Sequence, residues 1–265
     1  MNKAAKWEDL GPRAASGVGL AIVGLGLIWA GGMALTALVA VAAGLMIWEL
    51  VRLVAKDRER EAIILGAISG LLLGLILMNR VADPLLFPLL GLPALAAMVR
   101  ARQDRLIAGC YAMAIMVAAY GAAAFRGGYG LTFFLWLVLV VISSDLLGYF
   151  GGRIFGGPKF WPAISPKKTW SGTLAGWVGA AIVGAVFTLV FGAPAWLAAF
   201  SVVVAFAAQM GDIAESAIKR RSGVKDSSAI LPGHGGLLDR FDGMIGAIVF
   251  VILWGIALPV PAIGG

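Results

Sequence analysis

A chain of 265 residues that is 61% hydrophobic and only 13% charged has too little polar surface to close a water-soluble globule. Its mean hydropathy of +0.95 puts it among polytopic membrane proteins. A formal charge of +7 would suit nucleic acid, but the basic residues recur in short gaps between apolar runs. That distribution excludes a nucleic-acid partner and implies a lipid bilayer with anionic headgroups. A single cysteine, Cys110, lies within an apolar run and excludes an intrachain disulfide.

The polar start, MNKAAKWEDLGPRAASG, carries Glu8 and Asp9 and reads as a retained interfacial leader, not a secretory signal. Apolar runs then follow at 16–30, 33–51, 62–78, 84–99, 106–124, 131–149, 172–191, 195–215 and 243–262. A hydrocarbon layer of about 30 Å asks for about 20 residues per helix. The expected fold is therefore all-α, a polytopic transmembrane helical bundle of about nine spans. With the N-terminus cytoplasmic and every run crossing, 19 of the 21 Lys and Arg residues fall on one side, leaving Arg80 and Arg126 on the other. Early connectors such as RLVAKDRERE read as solvated turns that anchor to headgroups. We divide the chain into N-terminal transmembrane helices, 1–130, and a C-terminal transmembrane catalytic region, 131–265, with cytoplasmic loops 150–171 and 216–242.

The polar residues at the ends of the later runs carry the chemistry, because an ionisable group at membrane depth needs a partner, water or a ligand. Asp145 ends the sixth run and can serve as a cap, a helix partner or a functional group. The loop that follows, with Lys167 and Lys168 after a proline and hydroxyls at Ser165, Thr169 and Ser171, suits both interfacial snorkelling and headgroup binding. Trp161 and Trp170 fit an aromatic belt. Gly172 and Gly176, four apart, permit close helix packing.

In the eighth run Asp212, Glu215, Ser216 and Lys219 are spaced i, i+3, i+4 and i+7, one polar stripe on an apolar helix. Glu215 can pair with Lys219, which leaves Asp212 without a local partner. Before the ninth run, LPGHGGLLDRFDG is a Pro/Gly-rich turn followed by Asp239 and Asp242, one helical turn apart. Carboxylates with no thiol and a single histidine suit Mg²⁺. Amides of a glycine-rich turn, with Lys219, Arg220, Arg221, Lys225 and Arg240 around it, suit phosphate. His234 holds the turn or a phosphate and is not assigned as a base. The combination points to phosphoryl or nucleotidyl transfer on a membrane lipid at the cytoplasmic surface.

The run Ser216-Ala-Ile-Lys219-Arg220, then Lys225-Asp226, then Pro232-Gly-His234-Gly235-Gly236-Leu-Leu-Asp239-Arg240-Phe-Asp242 resembles the signature of phosphatidate cytidylyltransferases, the CDP-diacylglycerol synthases. Gly211-Asp212-Ile-Ala-Glu215 and Ile164-Ser165-Pro166-Lys167-Lys168-Thr169-Trp170 resemble the same family, so specific similarity spans 143–243. Ser171 departs from the pattern, which carries an acidic residue there. The resemblance implies condensation of CTP with phosphatidate to give CDP-diacylglycerol and pyrophosphate with Mg²⁺. It implies that Asp212 and Asp239 hold the metal, joined by Glu215 and Asp242, and that Ser216 and Lys219 contact substrate phosphates. Lys167, Lys168, Thr169, Arg220, Lys225, Asp226, His234, Gly235, Gly236 and Arg240 are the expected substrate-binding residues. The implied location is a bacterial inner membrane with the site on the cytoplasmic side, and a homodimer is the expected assembly. Two alternatives stay open: a CTP-using membrane enzyme acting on another lipid, and an ion-coupled transporter. The gathering of acids at one face disfavours the second.

Overall fold

A computed structural model describes residues 22, 24–79, 83–231, 233 and 235–264. The polar leader, part of the first apolar run (16–21 and 23), Arg80, Pro232 and His234 lie outside the described residues. After a helical stretch at 24–30, the named helices are α1 (Gly32–Val54), α2 (Glu59–Asn79), α3 (Asp83–Arg100), α4 (Arg105–Gly128), α5 (Gly130–Phe155), α6 (Trp170–Phe191), α7 (Leu197–Arg221) and α8 (Leu238–Ala257). Seven of these are long and apolar enough to cross a membrane, and the described residues therefore form a polytopic, helical integral membrane protein. The apolar stretch of α3, Pro84–Arg100, is shorter than the others and carries Pro88 and Pro93.

Several helices run past the apolar stretches that announce them. Backbone hydrogen bonding does not stop where hydropathy falls, so α7 continues through the polar stripe to Arg221 and α8 starts at Leu238. The segment 216–242, expected as a loop, is thereby reduced to 222–237 between two helices. The segment 150–171 also differs from a plain loop. Its first residues finish α5, and Lys159–Trp161 (β1) pairs antiparallel with Ser165–Thr169 (β2), with Lys159 opposite Thr169 and Trp161 opposite Ser165. Pro162 lies in the connection, where no ladder N–H is needed.

The chain forms two compact units, one from Met1–Met116 and Ser222–Arg240, the other from Val117–Arg221 and Phe241–Gly265. In the first, α1 and α2 meet at small residues: a Cβ on Gly66 would stand 2.6 Å from the Gly44 carbonyl oxygen. The charged connector is not simply solvated. Arg52 pairs with Glu59 at 2.8 Å, Arg58 and Arg100 both reach Glu61, and Arg102 reaches Asp57. The turn between α1 and α2 sets acids at the start of α2, beside basic residues at the end of α3, as the two helix dipoles favour.

In the second unit α5 packs on α6 through Gly172 and Gly176. A Cβ on Gly172 would meet the Gly148 carbonyl oxygen at 2.5 Å, and one on Gly176 the Ser144 carbonyl oxygen at 2.8 Å. The i, i+4 spacing seen in the sequence is thus a packing device. The core is built around Trp136, fully buried, which stacks on Phe200 and donates from Nε1 to Ser201 Oγ at 3.0 Å. A polar atom within a span is satisfied by a neighbouring helix, as lipid demands.

Candidate active site

Helix α7 supplies the stripe. Glu215 is wholly buried and pairs with Lys219 one turn later, and Ser216 Oγ donates to Asp212 Oδ1 at 3.2 Å. Lys219, Arg220 and Arg221 occupy the last turn, where cations complement the carbonyl end of the helix. Helix α8 approaches α7 closely because both contacting positions are glycines. A Cβ on Gly246 would stand 3.0 Å from Gly211 Cα and would strike the Ala207 carbonyl oxygen. This approach delivers Asp242 to the stripe: ligand atoms of Asp212, Glu215 and Asp242 all lie within 4.8 Å of one another.

Asp145 on α5 adds a fourth carboxylate that interacts electrostatically with Asp212 and Asp242. The hairpin delivers a cation. Lys168 Nζ pairs with Asp212 Oδ2 at 2.5 Å and donates to the Gln209 carbonyl at 3.4 Å. Strand alternation sends Lys167 to the other face, where it is exposed. Thr169 is buried and caps α6, its Oγ1 accepting from Gly172 N at 3.2 Å and bonded to Ser171 Oγ at 3.0 Å. Ser171 also donates to the Gly156 carbonyl, so the residue that departs from the family pattern stabilises the hairpin's entry.

The Pro/Gly-rich turn belongs to the other unit. Leu231 N donates to the Gly235 carbonyl at 2.9 Å, and Gly235 sits at φ +83°, a conformation that glycine adopts without strain. Asp239 accepts from Ser227 N at 2.9 Å, Ser227 Oγ at 3.0 Å and Gly236 N at 2.7 Å. Leu237 N and Leu238 N donate to Glu49 at 2.9 and 2.6 Å. The amides expected to await a phosphate are therefore engaged by the protein's own carboxylates, since the first N–H groups of a helix need acceptors. Lys225 and Asp226 are exposed, as are Arg220 and Arg240, which both have interactions of their own.

Two residues escape sequence reasoning. Glu49 is the sole carboxylate of the 33–51 run and fully buried. Gln209 is the sole amide of the 195–215 run; its Oε1 accepts from Trp177 Nε1 at 3.1 Å and its Nε2 donates to Ser144 Oγ at 3.3 Å. It ties α5, α6 and α7 together and so fixes the carbonyl that holds Lys168. A lone carboxylate in the one run and a lone amide in the other are the signals.

The donor set fits a hard divalent cation. It offers three clustered carboxylates and, among the described residues, no thiol or histidine, with Asp145 as a fourth carboxylate and Lys168 and Lys219 beside it. Metal-held oxyanions beside lysines form a site for transferring a phosphorus group.

Residues 12–256 match the cytidylyltransferase family. The chain is similar to a phosphatidate cytidylyltransferase of Brucella abortus biovar 1 (strain 9-941), 34% identical over 260 residues that cover 94% of each chain. It is also similar to the phosphatidate cytidylyltransferases of Bacillus subtilis (strain 168), 42% identical over 126 residues covering 46% of this chain and 47% of the other, and of Helicobacter pylori (strain J99), 43% identical over 128 residues covering 47% and 48%.

Proposed function

The chain belongs to the cytidylyltransferase family, and on that premise we propose that it joins CTP to phosphatidate, giving CDP-diacylglycerol and pyrophosphate. The observation that carries this reading is the Asp212, Glu215 and Asp242 cluster with Lys168 held against it. An oxygen of the phosphatidate phosphate attacks the α-phosphorus of CTP, the bond from that phosphorus to the bridging oxygen of the β-phosphate breaks, and pyrophosphate leaves. The nucleophile is already an anion, so no strong general base is required. Charge neutralisation and in-line alignment supply the acceleration.

Asp212, Glu215 and Asp242 would hold Mg²⁺, which when bound neutralises the triphosphate. Asp239, which accepts from Ser227 and from Gly236 N, belongs to the same proposal as a further carboxylate for the metal. Lys168 and Lys219 face phosphate charge, and Ser216 Oγ, bonded to Asp212, orients a phosphate oxygen. Lys167, Thr169, Arg220, Lys225, Asp226, His234, Gly235, Gly236 and Arg240 complete the substrate-binding set, with Gly235 and Gly236 shaping the turn.

The proposal extends to nine spans with a cytoplasmic N-terminus, N-terminal helices over 1–130 and a catalytic region over 131–265. It also includes a bacterial inner-membrane location, a cytoplasmic active site and homodimeric assembly. Purified protein incubated with labelled CTP, phosphatidate and Mg²⁺ should yield a lipid-soluble cytidine product, and none without the metal. Preference for another lipid acceptor in direct competition would move the reading to a related CTP-using enzyme.

A further inference from the structure

Glu49 lies far from every motif in the chain, yet its carboxylate is the acceptor on which the turn before α8 closes. It is fully buried near the end of α1 and takes three donors: Leu237 N at 2.9 Å, Leu238 N at 2.6 Å and Ser228 Oγ. The turn is shaped around it, because a Cβ at Gly236 would collide with the Glu49 carboxylate and with Ser227 Oγ. Ser227 in turn donates from both N and Oγ to Asp239. One buried anion therefore sets the backbone from which Asp239 projects and the strand of loop that carries Lys225 and Asp226.

We propose that Glu49 is a positioning residue for nucleotide binding: it fixes the 227–239 turn so that Asp239 and the loop charges are presented to the triphosphate of CTP. The geometry argues for more than stability. A buried residue needed only for packing would be apolar, since taking a carboxylate out of water is costly unless it is fully hydrogen-bonded. Here two of the donors are backbone amides at a helix start, where an anion is favoured, and the third is a serine on the other limb of the same turn. The anion thus closes both limbs at once. An amide side chain at this position could keep its oxygen on Leu237 N and Ser228 Oγ but would then point its own N–H groups at Leu238 N.

This assignment rests on the cytidylyltransferase reading, and the test separates the two. Wild type, Glu49→Gln, Glu49→Asp and Ser228→Ala are purified in detergent, and each is assayed for kcat and for the KM of CTP and of phosphatidate, with thermal unfolding followed in parallel. For E49Q the KM for CTP is expected to rise at least tenfold while that for phosphatidate stays within twofold. E49D should recover part of the loss, and S228A, which keeps the carboxylate on both amides, should shift the KM for CTP by less than threefold. Amide hydrogen exchange at Leu237 and Leu238 should accelerate in E49Q and not in S228A. Folded E49Q with wild-type KM for CTP overturns the assignment. If E49Q fails to fold, E49D with unchanged KM for CTP, or with both substrates' KM raised alike, overturns it equally. A wild type that makes no lipid-linked cytidine overturns the functional reading itself, and the role of Glu49 in it falls at the same time.

Discussion

Replacing Asp212 by Asn should separate catalysis from stability, because the carboxylate is only partly withdrawn from solvent. Its side chain is 31% exposed and that of its partner Lys168 is 25% exposed. An ion pair so placed contributes at most about 1 kcal/mol after screening, and the Ser216 hydrogen bond adds about 1 kcal/mol. D212N should therefore lose about 1–2 kcal/mol, which the amide recovers in part by accepting from Ser216. The catalytic loss is larger. Removing one preorganised charge from a phosphoryl-transfer site costs about 3–4 kcal/mol of transition-state stabilisation, a drop in turnover of about 100- to 1,000-fold.

Glu215→Gln is the comparison that makes the outcome diagnostic. Glu215 is 0% exposed and pairs with Lys219, whose side chain is 10% exposed, so breaking the pair leaves a buried ammonium. That costs about 3–5 kcal/mol of stability. Thermal unfolding by tryptophan fluorescence, with CTP-dependent product formation on the same preparations, reads both quantities. D212N should melt within a few degrees of wild type with turnover down at least 100-fold, whereas E215Q should lose fold and turnover together. D212N that keeps a tenth of wild-type turnover, or that unfolds as readily as E215Q, would refute the reasoning.

Stripping divalent cations with EDTA should abolish turnover and adding Mg²⁺ should restore it, since Asp212, Glu215 and Asp242 would hold the ion; full activity after exhaustive chelation would count against the cluster. Lys168→Met removes the cation bonded to Asp212 and to the Gln209 carbonyl, and should raise the KM for CTP about tenfold with little change in melting. Gly246→Ala forces a methyl group onto the Ala207 carbonyl and should cost about 1–3 kcal/mol by prising α8 from α7, with activity falling as Asp242 withdraws; unchanged melting would show that the helices yield. Thr169→Ala deletes the cap on α6 and should lower stability by about 1 kcal/mol, measured by the same melt.

Much of the site was legible along the chain because its elements are local. Helical spacing puts Asp212, Glu215, Ser216 and Lys219 on one side of α7, and the Glu215 to Lys219 pair follows from that spacing alone. Asp239 and Asp242 announce themselves as acids just ahead of an apolar run, although the run gives no sign that α8 begins before them. The hairpin over 159–169 was not legible, since β1 is only three residues long, Pro162 lies in the connection and Pro166 within β2. Nor did the charged connector reveal its pairing with Arg100 and Arg102, which depends on how α2 and α3 run back past it.

Hydropathy by itself determined that this is a helical membrane protein, and residue spacing determined that Asp212, Glu215, Ser216 and Lys219 share one side of α7, because those properties are written over stretches no longer than one helix. Tertiary structure alone decided which carboxylates meet and what the glycine-rich turn does. Asp242 reaches Asp212 and Glu215 because Gly211 and Gly246 let two backbones touch. The amides of the turn answer to Glu49, whose nearest sequence neighbours are apolar and whose hydrogen bond to Leu237 spans 188 residues. A hydrogen bond across that separation leaves no periodic trace in either segment, so only the folded chain can show that a buried acid near the end of α1 holds the turn that opens α8.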